Sequence, residues 1–275
     1  MKVITCIPHQ ALEQLILRIS TVEANLPEGG NSVVSPYPPT PYQSLIFYCN
    51  NPISMSKNDD VGYKKQPLSV LLGPQVSRVN IKVHNQLKAV RVDFLPGGLF
   101  RFLKIPMYEL FDNGFDASDF FGKKMKILTE QLSEITDLED GKKLVEKFLL
   151  DRLRIVNDHL PFDNALHFLY RNNGNISMEK AASLSCLSLK QFERKCKERI
   201  GMNPKSYARI LKFSRAYRLH EASPELDWIS IAYEAGYYDQ MHMIKDFKIF
   251  AGVNPSEIEK QLRNTAIKMQ KDLNF

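Results

Sequence analysis

The chain holds one helical unit twice, in register at a spacing of 51 residues, from Ala181 to Ala232. Ala181, Ser188, Arg194, Lys197 and Gly201-Met202-Asn203-Pro204 return as Ala232, Asp239, Lys245, Lys248 and Gly252-Val253-Asn254-Pro255. An internal repeat constrains a fold more than local propensity does, because what one copy builds the other must build too. Two copies are too few for a solenoid, so Asn175 to Ile258 reads as a duplicated module.

Each copy reads as helix, tight turn, helix. In the first, Ile176, Ala181 and Leu184 give an apolar face, and Ser185-Cys186-Leu187 breaks it. Ser188 fits an N-cap, with Gln191 three residues on completing a capping box. The helix that follows buries Phe192 and Cys196 and projects Lys190, Glu193, Arg194 and Lys197 outward. In the second copy Ile229, Ala232 and Tyr233 form the first helix, and Ala235-Gly236 makes the turn. Asp239 caps the next helix, with Met243 and Phe247 at the positions of Phe192 and Cys196. This is the helix-turn-helix that lays one helix in the DNA major groove. Two helical hairpins alone say little about DNA, but the charge adds to them. Ser188 to Arg218 carries ten Lys/Arg against two acidic residues. Of the whole chain's +6, residues 1–160 hold 19 basic and 18 acidic residues, and 161–275 hold 18 and 13. The excess thus sits with the repeat, as a footprint for nucleic acid would.

Ala235-Gly236-Tyr237-Tyr238-Asp239, His242, Phe247-Lys248 and Gly252-Val253-Asn254-Pro255 together strongly resemble the signature of the AraC/XylS family of bacterial transcription regulators. The first copy, with Tyr207 and Arg215-Ala216 behind it, is similar to that family's first helix-turn-helix. The resemblance covers roughly 161–262 and departs at Met241 and Met243, where the family more often has a small polar residue and Phe. It implies a sequence-specific DNA-binding transcription regulator that is not an enzyme. At matching positions it implies base contacts by Lys190, Glu193 and Arg194 in the first reader. In the second reader the matching residues are Gln240, Met241, His242, Ile244 and Lys245. Ser188, Gln191, Lys197 and Lys212 complete the residues expected at the DNA, Lys197 with Lys195 at phosphate. Arg suits guanine, Glu accepts from cytosine, Gln pairs with adenine, and Met and Ile pack on thymine methyls. For His242 the other reading is a surface residue without a base contact.

Between the readers, Pro204 opens a helix that meets no breaker until Pro224. Its span of roughly 28 Å, at 1.5 Å per residue, approaches the ~34 Å between successive major-groove faces. One chain can then fill two adjacent major grooves of double-stranded DNA. Lys205, Arg209 and Lys212 share a stripe opposite Tyr207, Ile210, Leu211 and Tyr217, facing either phosphate or solvent. Asp227 to Leu262 carries three Lys against six acidic residues. The first copy and the connecting helix are therefore expected to supply most of the phosphate attraction. The alternative is compensation by Arg263, Lys268 and Lys271.

The expected class is α+β: a small N-terminal β-sheet or partial barrel plus helices, then an all-α part with two helix-turn-helix units joined by a long helix. The division is a regulatory domain 1–157, for ligand sensing or dimerisation, and a DNA-binding domain 158–275, with Pro161 stopping the preceding helix. Gln10 to Glu23 reads as a helix burying Leu12, Leu15, Ile16 and Ile19. Turns follow from Pro27-Glu28-Gly29-Gly30 to Pro41, where four prolines in six residues exclude helix. Strands are expected at Ser44–Cys49, Ser69–Leu72, Val76–Val83 and Lys88–Phe94. Phe94 to Phe100 turns through Pro96-Gly97-Gly98 into a helix, a corner rather than an anion site. Helices follow at Gly122–Ile135 and Leu138–Ile155. Tyr37, Tyr42, Phe47, Tyr48, Phe94, Phe100 and Phe102 either line a pocket for a small-molecule effector or form plain core.

Four cysteines show neither CxxC nor metal-ligand spacing, and His84 has no ligand partner at such spacing, so no metal and no cofactor are expected. Cys186 and Cys196 fall at expected core positions. No apolar run approaches the ~20 residues that span a bilayer, and no signal-peptide pattern opens the chain, so a soluble cytoplasmic protein is expected. Two other readings stay open. A DNA-repair alkyltransferase could share the module, but it needs a reactive Cys beside His or zinc. A regulator governed by a protein partner or a homodimer needs no ligand.

Overall fold

The computed structural model describes residues 1–26, 32–58, 60, 62–153 and 160–263. The turn at Pro27 to Gly30, the division at 157/158, and Lys268 and Lys271 lie outside the described residues, as does the side chain of Arg263.

The chain opens with strands β1 (Lys2–Cys6), β2 (Ile16–Asn25), β3 (Val33–Tyr37), β4 (Ser44–Tyr48) and β5 (Ser54–Lys57). β6 (Lys64–Lys65), β7 (Ser69–Leu72), β8 (Val79–Val83) and β9 (Gln86–Phe94) follow. Helix α1 (Gly98–Leu103), strand β10 (Gly114–Asp116) and helices α2 (Ser118–Phe121), α3 (Lys123–Ser133) and α4 (Leu138–Arg152) complete this half. The strands form two antiparallel sheets, ordered β1-β2-β9-β4-β7-β10 and β3-β8-β5-β6. Side-chain alternation gives the larger sheet two different faces. On β4, Leu45 and Phe47 pack under α1, α3 and α4, and Ile46 and Tyr48 look toward the smaller sheet. On β9, Val90, Val92 and Phe94 join the first face, and Leu87 and Ala89 the second. β9 is therefore buried on both sides, and it carries the longest uninterrupted run of buried strand residues. Pro36 lies in β3, at a sheet edge, where a missing N–H costs no ladder bond.

One expectation fails here. Gln10 to Glu23 is not a helix: a short 3-10 turn at Gln10–Leu12 leads into β2. Ile16, Ile19, Thr21 and Val22 are β-branched, and β1 and β9 take the backbone of β2 from both sides. Leu12, Leu15, Ile16 and Ile19 are buried all the same. The helix-like spacing arose because two of the four sit in the turn before the strand. The Pro96-Gly97-Gly98 corner is packed tight: a Cβ on Gly98 would stand 2.2 Å from Leu15 O.

The second half is helical: α5 (Pro161–Arg171), α6 (Met178–Leu184), α7 (Leu189–Ile200), α8 (Pro204–Ala222), α9 (Trp228–Ala235), α10 (Gln240–Phe250) and α11 (Pro255–Arg263). Pro161 occupies the first turn of α5 and so begins that helix. The repeat holds at the level of atoms. Ser188 and Asp239 both cap by accepting from a backbone N–H three residues on. Gly201 and Gly252 both take left-handed φ, 84° and 73°. Phe192, Cys196, Met243 and Phe247 are all fully buried in one core with Tyr207 and Phe213.

The copies differ at their turns. Gly236 supplies φ 85° in the second, and a Cβ there would fall 2.0 Å from the Asn175 amide. In the first copy Cys186 takes the left-handed position (φ 56°) and is exposed, contrary to its expected place in the core. Leu184 is also exposed, because the buried face of α6 is Met178, Ala181 and Ala182.

Candidate nucleic-acid interface

The N-terminal turn of α7 is spent on itself. Ser188 Oγ accepts from Gln191 N at 3.4 Å, and Gln191 Oε1 accepts from Ser188 N and from Ser188 Oγ–H, both at 3.0 Å. Two of the residues expected at DNA thus serve as the helix cap. Lys190, Arg194 and Lys197 are exposed on the face opposite Phe192 and Cys196, and Glu193 is half-buried beside them. Arg199 turns inward instead, bonding Asp163 Oδ1 at 3.0 Å and stacking over Phe100 and Phe162.

The stripe on α8 divides. Lys205 is exposed. Arg209 clamps Asp246 of α10, donating from Nε at 2.9 Å and Nη2 at 2.6 Å to Oδ1, while Tyr237 Oη donates to Oδ2 at 3.1 Å. Lys212 is half-buried, and burial lowers its pKa against the opposing pull of Asp246. Arg209 is thus tied to α10 through Asp246 while its side chain stays 47% exposed. Its partner lies 37 residues on, beyond any local pattern. Ten-to-two overstates the charge offered outward, since Arg199 is buried against Asp163 and Arg209 is paired with Asp246.

On α10, Met241, His242, Lys245 and Lys248 are exposed, while Gln240 and Ile244 are half-buried. Met243 and Phe247 are buried, Phe247 edge-on to Phe213 and Trp228 at 5.0 and 5.4 Å. Tyr238, read from sequence only as part of the signature and not as a site residue, is 86% exposed beside His242. An aromatic in the turn directly before a capping Asp was the available signal.

Both reader helices leave through turns that rest on one loop. A Cβ on Gly201 would lie 2.4 Å from Pro74 Cγ and 2.8 Å from Met107 O, and one on Gly252 would lie 3.5 Å from Arg78 Cζ. Pro74 and Arg78 belong to the connection from β7 to β8. Asp112 holds that connection by accepting from Val76 N and Ser77 N at 2.9 Å and from Ser77 Oγ at 2.7 Å. Further contacts join the halves. Gln43 Nε2 donates to Ile200 O at 3.5 Å, and Lys197 Nζ lies 5.9 Å from the Tyr108 ring. Arg218 Nη1 of α8 donates to Tyr42 Oη at 3.2 Å, and Tyr42 meets Tyr170 edge-on at 6.1 Å.

The same connection faces a cleft between the sheets. Its space, mouth included, is about 1040 Å³, lined by Val22, Ile46, Tyr48, Ile53, Met55, Leu72, Ile81 and Leu87, with Gln75 and Ser77 from the loop. Tyr37, Tyr42 and Arg91 also line it, the Arg91 guanidinium held on Tyr37 Oη. Of the aromatics expected at a pocket, Tyr37, Tyr42 and Tyr48 line it. Phe47 and Phe94 point to the other face of the sheet, as alternation requires, and pack there with Phe100 and Phe102 of α1. Arg91 Nε donates to Asp93 Oδ1 at 2.7 Å, Nη1 to Tyr37 Oη at 2.6 Å and Nη2 to Ser44 Oγ at 3.1 Å. Asp93 is fully buried and also takes Arg18 at 2.7 Å. Burial alone would raise its carboxyl, but Arg91 and Arg18 hold it down at about 2.

Burial pushes the Cys49 thiol up to about 11 and raises that of Cys196, the opposite of what an alkyl-accepting thiolate needs. Among the described residues no group of His, Cys, Asp and Glu could hold a metal ion, and no helix is long and apolar enough to cross a membrane.

Residues 181–261 match a helix-turn-helix domain, and residues 4–116 match a domain of unknown function, DUF6597. No curated protein matches the chain. Among solved structures, the apo form of a ToxT variant from Vibrio cholerae strain SCE256 shares 15% identity, covering 89% of this chain and 97% of that one at a TM-score of 0.48. Wild-type ToxT of the same strain, bound to an unsaturated fatty acid, shares 12% over 90% and 98%, at 0.47. The AraC-like transcriptional activator CuxR shares 9% over 75% and 84%, at 0.25.

Proposed function

We propose that the chain, whose residues 181–261 match a helix-turn-helix domain and resemble the AraC/XylS regulators, grips two adjacent major grooves of duplex DNA under the control of a ligand held in its N-terminal half. Residues 1–157 would be the regulatory domain and 158–275 the DNA-binding domain. Lys190, Arg194 and Lys197 lead on the first reader and Met241, His242 and Lys245 on the second, with Lys205 on phosphate between them. The observation that carries the control is the shared loop. It seats Gly201 and Gly252, the equivalent exits of both readers, and turns Gln75 and Ser77 into the cleft. A ligand that displaces the loop shifts both seats together. The lining favours a largely apolar molecule with one polar group at the Arg91 and Tyr37 end.

Fluorescence anisotropy of the full chain with duplex DNA tests the grip. If about six exposed cations meet phosphates, affinity falls on the order of 10³ between about 50 and 200 mM salt. A flat response overturns the DNA reading. For control, an apolar dye such as anilinonaphthalene sulfonate serves as the cleft probe. Coupling is reciprocal, so dye and DNA must change each other's affinity by one factor. Dye bound in the cleft with no effect on DNA affinity removes the effector part and leaves the regulator.

A further inference from the structure

The cap residue of each reading helix orients the side chain at the third helical position, and the two copies use that device differently. In the first, Gln191 folds back so that its Oε1 is taken up by Ser188. In the second, Asp239 Oδ1 accepts from His242 N at 2.8 Å and also stands 3.0 Å from His242 Nδ1. The backbone bond suffices for a cap. The second contact fixes the imidazole. The backbone bond from His242 lowers the pKa of the Asp239 carboxyl, so at neutral pH that oxygen is an acceptor only. In the tautomer this contact selects, Nδ1 carries its proton toward Asp239 Oδ1 and Nε2 keeps a lone pair. The Tyr238 ring stands edge-on at 6.4 Å, and the histidine side chain is 59% exposed. Nε2 is therefore an oriented acceptor on the exposed side of α10, which it shares with Met241 and Lys245.

We infer that His242 determines specificity in the second reader: held by Asp239 as an acceptor, its Nε2 selects the exocyclic amine of adenine or cytosine on the strand it faces. In the major groove, adenine N6 and cytosine N4 are donors, whereas guanine O6 and N7 and thymine O4 are acceptors that oppose a lone pair. The inference rests on the regulator reading above.

The full chain is used to select binding sites from a library of randomised duplexes, and single-base replacements of the selected site are titrated against three proteins. The wild type should prefer adenine or cytosine at one position of the second half-site by roughly three- to tenfold, the worth of one hydrogen bond. His242→Ala should flatten that position alone. Asp239→Ser keeps a capping hydroxyl but loses the tether, and should flatten the same position while leaving affinity for the non-preferred bases nearly unchanged. Adding Asp239→Ser to His242→Ala should change nothing further there. A preference that survives His242→Ala, or a wild type that prefers guanine or thymine at the position His242→Ala affects, overturns the inference and leaves the regulator intact. Failure to select any site overturns both.

Discussion

At the scale of single residues, opposite charges decide which side chains are available to a ligand. Arg209 looked like part of a cationic stripe, yet two of its nitrogens are committed to Asp246. Arg209→Ala should leave the buried Asp246 carboxylate with Tyr237 alone and cost about 1–3 kcal/mol of stability, read by urea unfolding. The salt dependence of DNA binding should not change, since no phosphate contact is lost. A shallower salt slope in that variant would return Arg209 to the phosphate. Asp93 makes the second case. Its folded-state pKa of about 2 lies below the ordinary carboxylate range, so its contribution to stability is present above pH ~4 and is lost as pH falls toward 2. Asp93→Asn orphans Arg91 and Arg18 from their shared carboxylate and should cost about 3–5 kcal/mol near neutral pH. The gap to wild type should narrow on acidification. A gap that stays constant down to the acid transition would show that the ionised pair is not what Asp93 supplies.

At the scale of elements, the two readers share a fold and differ in charge. α7 shows Lys190, Arg194 and Lys197 to solvent, while α10 shows Lys245 and Lys248 beside Asp239. Phosphate contacts set most of the affinity and base contacts the selectivity. Lys190→Ala with Arg194→Ala should therefore abolish measurable binding. Gln240→Ala with His242→Ala should leave appreciable affinity and blur one half of the site. Titrating both pairs at two salt concentrations decides it, and equal losses would show that local charge does not rank the readers. Element identity itself was mostly legible. A capping residue, a buried i, i+4 pair and a closing Gly-x-Asn-Pro marked both reading helices, and Pro204 to Ala222 forms the expected 19-residue helix. β2 was misread because four apolar residues across a turn and a strand mimic a helical stripe.

At the scale of the whole molecule, the exits of the two readers are tied to the sheet half. Gly201 has positive φ and no room for a Cβ beside Pro74 Cγ and Met107 O, whereas Gly252 has positive φ with ordinary clearance to Arg78. Both Gly→Ala changes should lose about 1 kcal/mol for the left-handed backbone, and Gly201→Ala should lose more through the clash. Melting temperatures of the two variants test this. Pro74→Ala should recover part of the deficit at Gly201 and none at Gly252. Equal deficits, unmoved by Pro74→Ala, would show that the seat on the loop carries no weight.

The sequence by itself determined the module: the repeat, its caps, its closing glycines and the buried pairs are local patterns. A helix-turn-helix is built from contacts a few residues apart, and each copy corroborates the other. It also marked β4, β7, β8 and β9 as strands, though not which face looked at which neighbour. What the tertiary structure alone decided were pairings across long separations. Asp246 claims Arg209, Asp163 claims Arg199, and the turn before β8 supports two glycines more than a hundred residues away. Charge counted along a chain treats every cation as exposed. Only folding brings each one to its carboxylate or leaves it facing solvent, because desolvation makes an unpaired buried charge too costly to keep.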